Sequence, residues 1–286
     1  MLTETVRPLI RVEGLAKRFP GQGAKPAVSI FADIYFTVQP GECVCLIGHS
    51  GCGKSTILNV LAGLDQPSNG VVLVDDHEIN GPSLDRAVIF QSHALMPWLT
   101  ALANIELGIR SRHPTWSRKK VTDRAQKYLD LVHLTLASDR KPSQLSGGMR
   151  QRVGIARALA IEPRIVLMDE PFSALDALTR GALQDELSSI RAATRMTMFM
   201  ITHDVDEALL LADRIFLMTN GPDARIAEIV ENTLPHDRVR GKLHHEPMYY
   251  PLRNHLIDFL VTRSGSFELC DSFDPKMPPV IRLQAT

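Results

Sequence analysis

The chain has 286 residues, of which 44% are hydrophobic and 22% charged, with 18 Gly and 18 Pro. That length allows one large domain or two small ones, and the composition excludes a largely disordered chain. Lys and Arg number 32, and so do Asp and Glu, which argues against a global electrostatic grip on DNA or RNA and leaves room only for a local basic patch; no nucleic-acid partner is expected.

The amino terminus, MLTETVRPLIRVEG, lacks the charged-then-apolar plan of a signal peptide. No stretch approaches the ~18 apolar residues that would cross a bilayer. The expectation is a chain that stays in the cytoplasm unless a partner holds it at a membrane. LIRVEGLAKRF alternates loosely as a strand, GQGAKP is a turn-rich loop, and IFADIYFTVQPGE reads as a second strand ending at Pro40-Gly41. ECVCLIG, residues 42–48, is a short apolar run that leads into a glycine-rich loop. After it, Ile57, Leu58, Leu61 and Leu64 fall at helical spacing.

That loop, Gly48-His49-Ser50-Gly51-Cys52-Gly53-Lys54-Ser55-Thr56, fits GxxxxGK[ST] between a predicted strand and a predicted helix. Its glycines let backbone N–H groups turn inward around phosphate oxygens, and the helix N-terminus adds a favourable dipole. Lys54 is expected to reach the β- and γ-phosphates, and the Ser55 hydroxyl to ligate Mg²⁺. His49 and Cys52 occupy variable loop positions and are read as shaping the backbone. The four cysteines, Cys43, Cys45, Cys52 and Cys270, show neither CxxC nor zinc spacing, so reduced thiols and no structural metal are expected.

Further on, GVVLVDDHEI is a strand with a polar turn and AVIFQ a short strand ending at Gln91. The neutral amide of Gln91 could contact Mg²⁺ or an attacking water; alone, such a Gln is more often a surface residue. From there to about residue 160 the pattern is helical, and SRHPTWSRKK at 111–120 reads as a solvated face. RIVLMDE is a buried strand ending in two carboxylates: Asp169 is the candidate Mg²⁺ ligand and Glu170 is placed to polarise water. ALTRGALQDELSSIRAA is an amphipathic helix, MTMFMITHD a strand ending at His203, DVDEALLLAD a helix and RIFLMTNG a strand. Alternating strands and helices predict a largely parallel sheet covered by helices. Leu145-Ser146-Gly147-Gly148-Met149 opens a helix and forms a second anion site. A head-to-tail dimer would bring the two phosphate sites onto one nucleotide.

With these motifs the sequence resembles the ATP-binding subunit of ABC transporters, over about residues 9–225. The resemblance rests on the loop 48–56, Gln91, LSGGM at 145–149, LMDEP at 167–171, SALD at 173–176 and His203. It implies an α/β P-loop NTPase fold with a RecA-like core, an N-terminal antiparallel β subdomain and an inserted helical subdomain at about 92–160. The ATP-binding domain would span 1–230, and 231–286 would be an extension with a short helix and a disordered tail. ATP and Mg²⁺ are the implied cofactors. Ser146 and Gly148, flanking Gly147, would touch the γ-phosphate held by the opposite chain, Asp176 would couple the two sites, and His203 would bind the γ-phosphate. Phe19 falls where the family stacks an aromatic on adenine, against the alternative of a core residue. Met149 replaces the commoner glutamine.

A kinase has no use for LSGGM, and the coiled coil or second ATPase domain of repair and translation ATPases is absent from this sequence. The lack of fused membrane helices favours an importer. HSGCGKSTILNVLAGLDQPSNGVV and QSHALMPWLTALANIELGI resemble the nitrate, sulfonate, taurine and cyanate importer group. Leu95, Met96, Pro97 and Trp98 would line the groove for a membrane subunit, or else be core of the helical subdomain. The tail 238–264, with Tyr249-Tyr250 before a helix carrying Leu252, Leu256, Phe259 and Leu260 on one side, resembles nitrate/nitrite importers and their cyanate and bicarbonate relatives. The implied partners are transmembrane permease subunits, a periplasmic or lipid-anchored substrate-binding protein, and a second ATPase subunit, identical or related. The implied place is the cytoplasmic face of the inner membrane.

Overall fold

The computed structural model describes residues 7–21, 27–92, 94–173, 175–194, 196–264 and 274–284. Residues 22–26 of the expected loop, His93, Ala174 of SALD, and tail residues 265–273 with Cys270 lie outside the described residues. The chain divides into two units, Met1–Pro82 with Arg195–Thr286, and Ser83–Thr194.

The first unit begins with β1 (Ile10–Phe19) and β2 (Val28–Val38), whose alternating apolar residues bury one face. They pair antiparallel with Ile10 opposite Val38 and Phe19 opposite Val28. β3 (Cys43–Ile47) is buried throughout, as expected of a strand covered on both faces. The glycine-rich loop and α1 (Lys54–Ala62) follow. Gly63 ends the helix at φ 76, with its N–H returned to Val60 O at 3.0 Å. β4 (Asn69–Val74) and β5 (His77–Glu78) complete an antiparallel sheet of order β2-β1-β4-β5.

The second unit opens with β6 (Arg86–Ile89). The first helix of this unit, α2, spans Ala101–Arg112. Before it, Met96–Thr100 is irregular chain tied to the fully buried Asn104. That amide accepts from Met96 N at 2.8 Å and donates to the carbonyls of Met96, Leu99 and Thr100 at 3.2, 3.3 and 3.0 Å. α3 (Arg118–Leu131) and α4 (Gly147–Ala160) follow. Each of the three helices starts at a hydroxyl cap, Thr100, Ser117 and Ser146. Ile105, Ile109, Val121, Leu129, Val153 and Ala156 form their shared core. The basic stretch folds on itself: Trp116 stacks on His113 at 3.9 Å, and Lys120 Nζ lies 3.8 Å above the same ring. β7 (Ile165–Asp169) pairs parallel with β6, and α5 spans Ala177–Thr194.

The chain re-enters the first unit with β8 (Thr197–Ile201), α6 (Val205–Leu211) and β9 (Arg214–Met218). Next come β10 (Ile226–Glu231), α7 (Arg240–Leu243), α8 (Tyr249–Asp258) and β11 (Val280–Ile281). In this unit the strand order is β11-β10-β9-β3-β8. β3 lies parallel to both β8 and β9, and β10 runs antiparallel to β9. Three expectations are corrected here. IAEIVE forms the unpredicted strand β10. The tail is not structureless throughout, since Val280 and Ile281 pair parallel with Ile229 and Val230 after Pro278-Pro279 has extended the chain. Tyr249 and Tyr250 open the last helix rather than precede it. Among the described residues, no helix is long and apolar enough to cross a membrane.

Candidate functional site

Residues 48–53 leave the end of β3 and turn directly into α1. Gly51 and Gly53 sit at φ 85 and 97, a region open to glycine and costly for other residues. Gly53 caps α1 without a side-chain hydrogen bond, so the N–H groups of the first turn meet no side-chain acceptor from their cap. An anion fits such an end. The buried Lys54 side chain folds back over the loop, and its Nζ donates to Gly48 O at 2.7 Å and His49 O at 2.8 Å. The thiol of Cys52 is buried beneath, 3.9 Å from Lys54 Nζ; burial pushes its pKa up, against the opposing charge of Lys54. The sulfur is thus an inert packing group. Ser50 and Ser55 are exposed and Thr56 is half-buried.

His203 comes off the same end of the sheet. Leu46 of β3 lies opposite Ile201 of β8, and Thr202 N donates to Leu46 O at 3.3 Å. Adjacent parallel strands thereby bring the glycine-rich loop and His203 out side by side, where open α/β sheets bind ligands. β8 stops at Ile201, so His203 stands exposed in a bend rather than at the strand end. The residues around it are held. Thr202 Oγ1 donates to the buried Glu207, Asp204 N donates to Thr202 Oγ1 at 3.0 Å, and Asp204 Oδ1 caps α6 through Asp206 N and Glu207 N. The D-x-x-E spacing of Asp204 and Glu207 is the sequence signal for that helix start, although Glu207 turns to Thr202 instead. Phe19 is 45% exposed, which removes its core reading, and Lys17 Nζ lies 5.3 Å from its ring centre.

In the second unit, Ile89 of β6 lies opposite Met168 of β7, so Gln91 and the Asp169-Glu170 pair leave one end of two parallel strands. β6 ends at Ile89, which places Gln91 in an exposed turn and not on the strand. Its Nε2 donates to Ser173 Oγ at 3.2 Å, and Ser173 Oγ donates to Glu170 O at 3.0 Å. Ser173, given no role by its sequence position, is the bridge between the two. Asp169 and Glu170 are half-buried, and Glu170 sits at φ 45, unusual for a side-chain-bearing residue and frequent at working sites.

Ser146 caps α4, its hydroxyl accepting from Met149 N at 3.3 Å and keeping its own proton to donate. Gly147 starts the helix, and the buried Gly148 faces Thr179, where an added Cβ would lie 2.2 Å from Cγ2. Met149 packs on the helical core, which accounts for an apolar residue there. Asp176 accepts from Thr179 N at 3.0 Å, and hydrogen bonds from Thr179 hold its carboxyl below the usual range. Trp98 is 67% exposed and so is not core, while Leu95 packs partly against the helical core.

Each unit by itself carries hard oxygen donors, the exposed Ser55 hydroxyl in the first and the half-buried Asp169 carboxylate, with the neutral Gln91 amide, in the second. Among the described residues no three His, Cys, Asp or Glu gather as a metal cage. Oxygen donors of this kind are the type Mg²⁺ takes, together with waters and phosphate oxygens.

A family profile described as ABC transporter matches residues 31–173. The chain is 46% identical over 256 residues to the bicarbonate transport ATP-binding protein CmpD of Synechococcus elongatus, covering 90% of this chain and 91% of that protein. It is 45% identical over 256 residues to the nitrate transport protein NasD of Klebsiella oxytoca, covering 89% and 97%. Among solved structures, a dimeric post-hydrolysis state of the ATP-binding cassette MJ0796 bound to ADP and Pi matches with a TM-score of 0.70 at 31% identity, covering 79% of this chain and 100% of that one. The loop turning into α1, the capped LSGGM helix and the strand-end carboxylates, together with these matches, place the chain in the ABC transporter family as an ATP-binding subunit whose ATP hydrolysis is coupled to transport.

Proposed function

We propose that this subunit powers import of a small anion, nitrate or nitrite. The reading is carried by the similarity to NasD, which runs over nearly all of that nitrate transport protein. The similarity to CmpD favours bicarbonate as a second reading. Cyanate, taurine and sulfonate are the remaining members of the group. Uptake of labelled nitrate in the source organism with this gene deleted, beside labelled bicarbonate and growth on cyanate and taurine, decides between them. Loss of nitrate uptake alone is expected. Intact nitrate uptake with a bicarbonate defect would replace nitrate by bicarbonate.

In this reading the N–H groups of residues 49–54 and the Lys54 ammonium bind the phosphates of ATP, and Phe19 stacks on the base. Ser55, Asp169 and Gln91 hold Mg²⁺, which when bound neutralises charge on the phosphate oxygens. Glu170 orients an attacking water and accepts its proton. His203 contacts the γ-phosphate. Ser146, Gly147 and Gly148 offer the helix start of α4 to the nucleotide of a second ATPase subunit, and Asp176 links the two sites. The exposed Trp98 with Leu95, Met96 and Pro97 receives a permease subunit, which keeps the ATPase peripheral on the cytoplasmic face of the membrane and supplied by a substrate-binding protein. Residues 1–230 form the ATP-binding domain, with 92–160 its helical part, and 231–286 the extension.

A further inference from the structure

Nothing in the hydrolysis chemistry uses the C-terminal extension, yet the extension is tied to the glycine-rich loop. α8 continues through a π-helical turn, Phe259–Arg263, with Leu252, Leu256 and Phe259 fully buried. At its start, Tyr249 Oη and Arg253 Nε both donate to Asp206 Oδ1, at 2.8 and 2.7 Å. Asp206 lies in the first turn of α6, three residues after His203. Along its length, His255 and Arg263 meet the buried Glu228 of β10 at 2.8 and 2.5 Å. Burial pushes Glu228 up, but the His255 hydrogen bond and the Arg263 charge outweigh it and hold the carboxyl below its usual range. At its end, the Ser264 carbonyl accepts from Asn220 N at 3.0 Å.

The π turn frees one acceptor. Ser264 N donates to Phe259 O at 2.8 Å, five residues back, instead of to Leu260 O. The Leu260 carbonyl then accepts from two side chains, Ser264 Oγ at 2.9 Å and His49 Nε2 at 2.7 Å. A carbonyl only accepts, so His49 carries its proton on Nε2. π turns of this kind recur at functional sites. His49 is the second residue of the loop, directly after Gly48, whose missing Cβ lets it lie against Met218 at the end of β9.

We propose that His49 is a positioning residue: its hydrogen bond to the Leu260 carbonyl holds the phosphate loop in its binding shape, so that the C-terminal helix sets the affinity for ATP. The physical reason is pre-organisation, since a loop already fixed loses less freedom when phosphate arrives. The inference rests on the reading of residues 48–56 as the nucleotide loop.

The test compares the full-length chain with His49→Leu, which keeps bulk without a donor, and His49→Gln, whose amide reaches about as far with one. ATP affinity is measured by calorimetry, apo stability by thermal melting, and tail mobility by hydrogen–deuterium exchange of residues 249–264 with and without ATP. His49→Leu is expected to weaken ATP binding about threefold, the low end for one exposed hydrogen bond, with the apo melting temperature unchanged. His49→Gln restores affinity. ATP slows exchange at residues 259–264 in wild type and His49→Gln, and not in His49→Leu. The pair Tyr249→Phe and Arg253→Ala, which loosens α8 at its far end with His49 intact, reproduces the loss and stands in should His49→Leu fail to fold. Unchanged affinity in His49→Leu, protection that survives in it, or affinity falling only in step with melting temperature would overturn the proposal. A wild-type chain that binds no ATP would instead overturn the nucleotide-loop reading itself.

Discussion

Gly53→Ala is expected to unfold the first unit more readily than Gly51→Ala, although both glycines lie in one loop at positive φ, 97 and 85. An alanine at either position carries the left-handed backbone cost of about 1–2 kcal/mol. At Gly53 a Cβ would also lie 2.6 Å from Ile30 Cγ2 and 2.7 Å from Phe31 Cδ1, and Phe31 is fully buried with no room to withdraw. At Gly51 a Cβ meets nothing within 4 Å. Overpacking of this kind adds about 1–3 kcal/mol. At roughly 2–4 °C per kcal/mol for a domain of this size, Gly53→Ala melts about 6 °C below Gly51→Ala. Thermal unfolding of the nucleotide-free chains, followed by circular dichroism, measures the difference without any contribution from ligand. Equal melting temperatures, or a larger loss at Gly51, would show that the loop is not pressed against β2 and would refute the packing argument.

Asn104→Leu leaves the backbone groups of Met96, Leu99 and Thr100 without their buried partner and is expected to lower stability by about 2–4 kcal/mol, read from urea unfolding; a loss under about 1 kcal/mol would mean that water replaces the amide. Glu170→Gln should bind ATP normally and release phosphate about 10²–10⁴-fold more slowly, and near-normal turnover removes Glu170 as the base. Ser146→Arg should abolish turnover while the monomer still binds ATP, whereas lost monomer binding contradicts a role toward the opposite nucleotide. Burial and the bond to Asp206 push Tyr249 from 10.0 up to about 12, so its neutral phenol stabilises the fold fully below pH 10 and that contribution disappears as pH rises to about 12. Ultraviolet titration should therefore show a late-ionising tyrosine that Tyr249→Phe removes. Glu228 has the opposite sign: its contribution is complete above its ordinary 4.5 and lost as pH falls through the depressed folded value, so acid loosens α8 as well.

What is legible in the sequence is what chemistry confines to a short window. Gly51 and Gly53 must be glycine because of their own φ angles, and β3 and β8, buried along every residue, read as unbroken apolar runs. β10 escaped the same reading because Glu228 and Glu231 break its apolar run. Glu228 is tolerated inside because His255 and Arg263, 27 and 35 residues later, give its carboxylate polar partners. The two-residue β11 has no period to detect, and it exists because the edge of β10 offers unpaired backbone groups. The last helix shows the limit most clearly. The spacing of Leu252, Leu256 and Phe259 tells that it packs, but not on what, since Asp206 and His49 lie 43 and 211 residues from the groups they meet. His49 illustrates the consequence. Read locally it is a variable position in a phosphate loop, and its pairing with Leu260 follows from a π turn that no local pattern announces. A residue whose partner is itself a backbone atom set free by distant geometry has no signature in sequence, and such residues are where a shared ATPase motif and an individual C-terminal extension can become one device.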